Sequence, residues 1–339
     1  SLQNTASMDQ NNKETSMKRT LFSAALFTLA VGGCVATPAV HALEPASVSA
    51  VEWSAVESID VQAINADLEP GKPTVDIGLY YPSNLHEGAA DKLPLSGLIE
   101  EFRNAKKVFA PTGVQLNLLW VKTGEVDPRH LAIFASKWES DLPSGGYGNM
   151  YVQSAIHPTE MSDGATEAFE AIIEPTGDNS RTVYLVALEN VYMPYYEDLD
   201  GGRNWAPKVV NTSGLSFPSY TYADTIPGRL RGVITLTKHD AVNKLTIAHE
   251  LGHKLMNVSH EYMETSPQHE IRSDQGLMLY GSGTQIPSGE AGRWHQERLL
   301  LSPYIYRTNE AGEKVWNGDY QAGGVYYDPI YGDFAVKFD

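Results

Sequence analysis

His249, Glu250 and His253 form an H-E-x-x-H run, and a third histidine, His260, follows after a short spacer. On a helix, positions 249 and 253 share one face, so both imidazoles can grip a single ion. Glu250 is close enough to reach a metal-bound water without occupying the metal. Neutral imidazole ligands, an open coordination position and a carboxylate base are what a zinc hydrolase needs. Asn257 tolerates the left-handed conformation that ends helices, so a turn there would fold His260 back as the third ligand, with Zn2+ as the expected cofactor. A lone histidine is usually a core or surface residue. Three of the chain's ten within twelve residues, with the Glu in place and an apolar helix around them, are a different matter.

The elements that would position these residues are legible in part. Arg231 to Thr237 reads as a short strand, and Asp240 as the cap of the metal-site helix. Ala241, Val242, Leu245, Ala248, Gly252 and Leu255 give that helix a core-facing stripe, with the histidines beside it. Gly252 costs the helix about 1 kcal/mol relative to Ala, so something is expected to pack close to it. Further upstream, Val75, Ile77, Leu79 and Tyr81 alternate along a strand. Pro94 opens a helix with Leu95, Leu98, Ile99, Phe102, Ala105, Val108 and Phe109 recurring at helical steps, and Val114 to Val121 is a second strand. Strand, long helix and strand predict a βαβ crossover.

Other stretches read less sharply. Arg129 to Ser140 and Glu167 to Ile173 have helical character, and Arg181 to Leu188 is a strand. Residues 190–228, rich in Pro, Tyr, Asn and Ser, read as a long loop of the kind that borders a functional cleft. The acidic run Glu197 to Gly202 does not have EF-hand spacing and reads as a solvated turn rather than a calcium site. Arg293 to Leu301 is expected as a closing helix, and residues 307–339 as a tail able to form a hairpin around Val325 to Tyr327 and Phe334 to Val336.

With 339 residues and 42% hydrophobic content, the chain can bury a sizeable core in one or two domains. A formal net charge of −17 argues against nucleic acid or an anionic membrane as the main partner. Residues 1–42 read as an N-terminal extension and signal peptide: Met17-Lys18-Arg19 begins a basic region, and Leu21 to Val31 is an apolar run too short to span a bilayer. Two processing sites compete. Val31-Gly32-Gly33-Cys34 resembles a bacterial lipobox, and Val40-His41-Ala42 an ordinary signal peptidase site; Cys34, the only cysteine, favours a lipid anchor. The expectation is export from a bacterial cell, anchored in a membrane or secreted. Residues 43–73 read as a linker or pro-segment ending in Glu69-Pro70-Gly71-Lys72-Pro73.

Taken together, these residues resemble the metzincin clan of zinc endopeptidases. His249-Glu250-x-x-His253 with Asn257-Val258-Ser259-His260 is similar to the clan's extended zinc motif, one residue longer before the third histidine. Gly276-Leu277-Met278-Leu279-Tyr280-Gly281 resembles its Met-turn, and the Tyr80-Tyr81-Pro82 and Val108 to Leu116 stretches resemble the N-terminal half of reprolysin-like members. The likeness covers residues 74–306. It implies an α/β (α+β) fold with a twisted mixed sheet, a backing helix, an active-site helix and a Met-turn C-terminal subdomain. It implies Met278 as the floor under the metal, Tyr280 as a hydrogen-bond donor to the oxyanion, and Val233, Ile234 and Thr235 as the edge to which a peptide substrate adds. His269, and less so Glu261, are fallback third ligands.

Two rivals remain beside the peptidase. One is an exported, lipid-anchored binding or adhesion protein with a non-catalytic zinc; structural sites usually have four protein ligands, and Glu250 would have no role there. The other is a different zinc hydrolase with a distant glutamate, Glu290 or Glu297, as third ligand.

Overall fold

A computed structural model describes residues 50–137, 155–156, 160–177, 180–199, 205–222, 226–258, 260, 275–279, 283–289 and 295–318. In chain order these form β1 (Ser54–Ala55), α1 (Val61–Ile64), β2 (Thr74–Pro82), α2 (Glu87–Lys92), α3 (Leu95–Phe109), β3 (Gln115–Gly124), β4 (Ala132–Phe134), β5 (Ala155–Ile156) and α4 (Asp163–Ile172). There follow β6 (Val183–Ala187), β7 (Asn190–Asp198), β8 (Trp205–Asn211), β9 (Gly214–Leu215), α5 (Ser219–Tyr222), β10 (Val233–Leu236), α6 (Thr246–Met256), α7 (His295–Leu300), β11 (Ile305–Thr308) and β12 (Lys314–Trp316). The signal segment, with Cys34 and Ala42, lies outside the described residues. Among the described residues no helix is long and apolar enough to cross a membrane.

The main sheet runs β1-β3-β2-β6-β10-β9, with β11 and β12 added beside β2. β2, β3, β6 and β10 are mutually parallel, and β1, β9 and β11 pair antiparallel, so the fold is mixed α/β. The apolar alternation of β2 continues on both faces because both are covered. Val75, Ile77 and Leu79 are fully buried on one, and Tyr80 is sealed between Trp53 and Trp120 on the other. α3 starts after Pro94, whose fixed φ suits a helix entrance, and buries Leu98, Phe102, Ala105 and Phe109. Leu98, Phe102 and Phe109 each contribute about 1.5–3 kcal/mol on burial. α3 and α6 pack against each other, which sets the metal-site helix on the sheet.

Four expectations need correction. Residues 129–137 are not helical: a 3-10 turn at Pro128–His130, capped by the Asp127 side chain, leads into β4. Leu131, Ile133 and Ala135 are buried while Ala132 and Phe134 are exposed, a period of two that a short apolar run does not distinguish from a helix. Much of the expected 190–228 loop is strand, since β7 and β8 form a long antiparallel pair and, with β4 and β5, a second small sheet. Pro194 and Pro207 disguised it; Pro194 falls between the stretches paired with β4 and β5, and Pro207 lies on β8, where only one edge pairs with a described strand. The metal-site helix begins at Thr246, not at Ala241; the Asp240 carboxylate instead accepts from Val242 and Asn243 N–H in a tight turn. β10 is not an outer strand, as set out below.

The stretch read as a linker lies on the sheet over residues 50–73. β1 pairs with β3, the Trp53 indole donates to the Ile172 carbonyl at 2.8 Å, and the Asn65 amide bridges to Leu118. At the other end, β11 and β12 make a hairpin earlier than the tail hairpin expected, and it straddles position 306, where the body was expected to end. It is fastened through Asp76, a buried carboxylate on β2 that accepts from Tyr306 Oη at 2.9 Å and Asn117 Nδ2 at 2.8 Å and pairs with Lys314. Residues 319–339 lie outside the described chain.

Candidate metal centre

α6 has no side-chain N-cap of its own. Its first turn is instead served by Glu101 from α3, which is fully buried and accepts from Ile247 N at 3.3 Å, Asp240 N at 2.7 Å and His239 Nδ1 at 2.6 Å. Burial raises the Glu101 pKa, and the three donors oppose that rise. A carboxylate there faces the positive end of the helix dipole. Sequence reasoning missed Glu101, although a charged residue inside the Leu98–Phe102–Ala105 stripe was a visible signal.

At the far end, Asn257 adopts φ 49° and ψ 51°, the left-handed turn expected of it. Arg298 of α7, buried, donates from Nε to the Met256 carbonyl at 2.9 Å and from Nη2 to the Asn257 carbonyl at 2.6 Å. These carbonyls are among those a helix end leaves without partners. The chain then reverses, and His260 returns to the face carrying His249 and His253.

The three rings converge. His260 Nε2 lies 2.8 Å from His249 Nε2 and 3.1 Å from His253 Nε2. His249 Nδ1 donates to the Leu277 carbonyl at 2.9 Å, and His253 Nδ1 to the Val258 carbonyl at 2.6 Å. A carbonyl only accepts, so each Nδ1 carries the proton and each Nε2 turns a lone pair inward. Burial lowers the pKa of both rings, that of His253 further still because His249 is beside it. Neutral imidazoles with lone pairs facing one another repel unless a cation sits between them. Three such nitrogens around a tetrahedral ion stand roughly 3.4 Å apart. The observed spacing is a little tighter, so the donor set fits a metal ion with a small opening of the rings. Among the described residues, His249, His253 and His260 are the group close enough to hold one.

Met278, the residue expected as the floor, is fully buried against the metal-site helix. A Cβ on Gly252 would lie 2.5 Å from Met278 Sδ, so only glycine lets the turn approach this closely. The same turn supplies the Leu277 carbonyl that orients His249, a role with no sequence signal because it belongs to backbone. Tyr280 lies outside the described residues, as do Glu261, His269 and Glu290. Glu297 is not at the cluster; its carboxylate accepts from Gly289 N at 3.3 Å.

Glu250 is buried beside the metal cluster, on the side toward β9. A Cβ at Gly214 would stand 2.7 Å from its Cγ and 2.9 Å from Oε1. Burial lifts its pKa to about 8, against the pull of the Ser216 hydroxyl and N–H and of Lys254. Lys254 is itself held down to about 7 by burial, with Glu250 opposing. The residues expected to take an added peptide lie on a strand with neighbours on both sides. Val233, Ile234 and Thr235 are fully buried in β10, which has β6 on one side and β9 on the other, paired at Thr235↔Leu215 and Leu236↔Gly214. Among the described strands β9 is the outermost on this side, with Gly214 directly against Glu250. A strand of two residues, Gly214 and Leu215, gave no periodic signal. No protein-family model matches this chain, and no curated protein sequence matches it either.

Proposed function

We propose that the chain is a zinc endopeptidase of the metzincin kind, acting on peptide bonds of extracellular or envelope proteins. The observation that carries this reading is the convergence of three imidazole Nε2 atoms, two of them turned inward by backbone carbonyls, with Glu250 on the same helix. A zinc ion held by His249, His253 and His260 supplies the Lewis acidity that polarises a carbonyl and acidifies water.

The protein's own part begins at β9. Its outer edge pairs with no described strand, so an extended substrate can add to it through main-chain hydrogen bonds. The Glu250 carboxylate, in a dry site against Gly214, takes the proton of the attacking water at Oε and returns it to the leaving amine. A carboxylate already raised to about 8 by burial is brought down by a neighbouring cation, toward the range in which it both accepts and donates near neutral pH. Tyr280 is assigned the oxyanion donor. Removal of one such donor typically costs about 2.7–4 kcal/mol of transition-state stabilisation. Cys34 is assigned the lipid attachment.

The test is cleavage of a peptide library with and without a chelator, with zinc added back, on the chain and on Glu250→Ala. Chelator-sensitive cleavage lost in Glu250→Ala supports the reading. Tight zinc binding without cleavage would point instead to an exported binding protein.

A further inference from the structure

One buried lysine joins β9 and β10 to the metal-site helix. Lys254, 5% exposed, donates from Nζ to the Phe217 carbonyl at 3.1 Å and to the Arg231 carbonyl at 2.6 Å. Phe217 stands two residues beyond β9, and Arg231 two residues before β10. Because these strands are antiparallel, both carbonyls belong to the same end of the pair. The β9–β10 pairing covers only Gly214 and Leu215, and Lys254 holds the chain where that ladder stops.

The segment it holds is strained and enclosed. Phe217 has φ 46°, a left-handed conformation that a bulky residue keeps only when its surroundings over-determine it. Its ring is fully buried against Phe169 and Tyr222, with centroids 5.4 and 5.2 Å away. At the other end of β9, Gly214 rests on Glu250. α6 therefore touches the outer strand twice, through Glu250 and, one turn later, through Lys254. A lysine is rarely this buried without a specific partner, and a leucine or methionine would fill the space with no donor to satisfy.

We propose that Lys254 is a positioning residue that fixes β9 relative to Glu250 by anchoring the Phe217 carbonyl. An added peptide strand then meets the base in register. That consequence rests on the peptidase reading, whereas the anchoring of β9 does not.

Two measurements test it. In the metal-free wild type, amides 214–217 should exchange more slowly than those of an unstructured chain, and Lys254→Met should speed them about tenfold while α6 stays protected. With zinc restored at unchanged stoichiometry, Lys254→Met should raise KM for a long peptide about tenfold while kcat changes less than about threefold. Lys254→Gln keeps one donor and should recover part of both effects. Unchanged exchange at 214–217 in both variants overturns the proposal, and so does a fall in kcat with no change in KM. If Lys254→Met does not fold, rapid exchange of 214–217 in the wild type beside a protected α6 overturns it. If the wild type cleaves no peptide, the peptidase reading falls and the exchange data still decide the anchoring.

Discussion

Met278 Sδ lies where a side chain on Gly252 would have to go, 2.5 Å from the position of its Cβ. The contact explains why the helix carrying His249 and His253 tolerates a glycine in its middle. Gly252→Ala would gain about 1 kcal/mol of helix propensity and incur about 1–3 kcal/mol of overpacking. A net loss of stability is expected in denaturant unfolding, partly relieved by Met278→Ala in the same chain. Additive effects of the two changes would contradict the contact.

Metal binding should be visible as stability. Zinc at about 100 times its Kd should stabilise the metal-free protein by about 2.7 kcal/mol. His260→Ala should remove most of that gain and Glu297→Ala should leave it intact. The reverse result would move the third ligand to a different residue.

Arg298 closes the C-terminal end of the metal-site helix through two carbonyls. Arg298→Met should cost about 2–4 kcal/mol in unfolding experiments, because buried carbonyls lose charged donors. Zinc affinity should fall with it, since the Val258 carbonyl that orients His253 lies just beyond that turn. Unchanged affinity in a destabilised variant would separate the cap from the site.

His130, 3% exposed, has no hydrogen-bond partner for Nε2 among the described residues. Burial lowers its pKa, reinforced by Arg129 and opposed by Asp127 and Glu167. The unfolded chain therefore takes up this proton first as pH falls. Stability from this residue is complete above about pH 6.5 and is lost as pH drops through that value toward the lowered folded one. His130→Leu should lack this component, so the stability of wild type relative to the variant should decline between pH 7.5 and 5.5. A difference that stays flat with pH would refute the assignment.

Much of the site was legible because helical spacing projects residues 249 and 253 onto one face and Asn257 marks the reversal. β2, α3 and β6 were legible for the same reason, being long and periodic. What escaped was made by pairing between distant segments. β4 has three residues, and its strand character comes from Asn190 to Tyr192 rather than from its own composition. β9 is shorter still, so β10 reads as the outer strand from sequence. Glu101, Lys254 and Arg298 act on backbone atoms far away in sequence, and charged residues read as solvated unless the groups they serve are known.

The hairpin of β11 and β12 carries a consequence for shortening the protein. Its tyrosine and lysine are two of the three partners of the Asp76 carboxylate, which sits on a central strand. A chain trimmed by protease or by design before residue 306 would lose both and leave that anion with Asn117 alone of the three. A fragment that keeps all three partners therefore extends at least to Lys314.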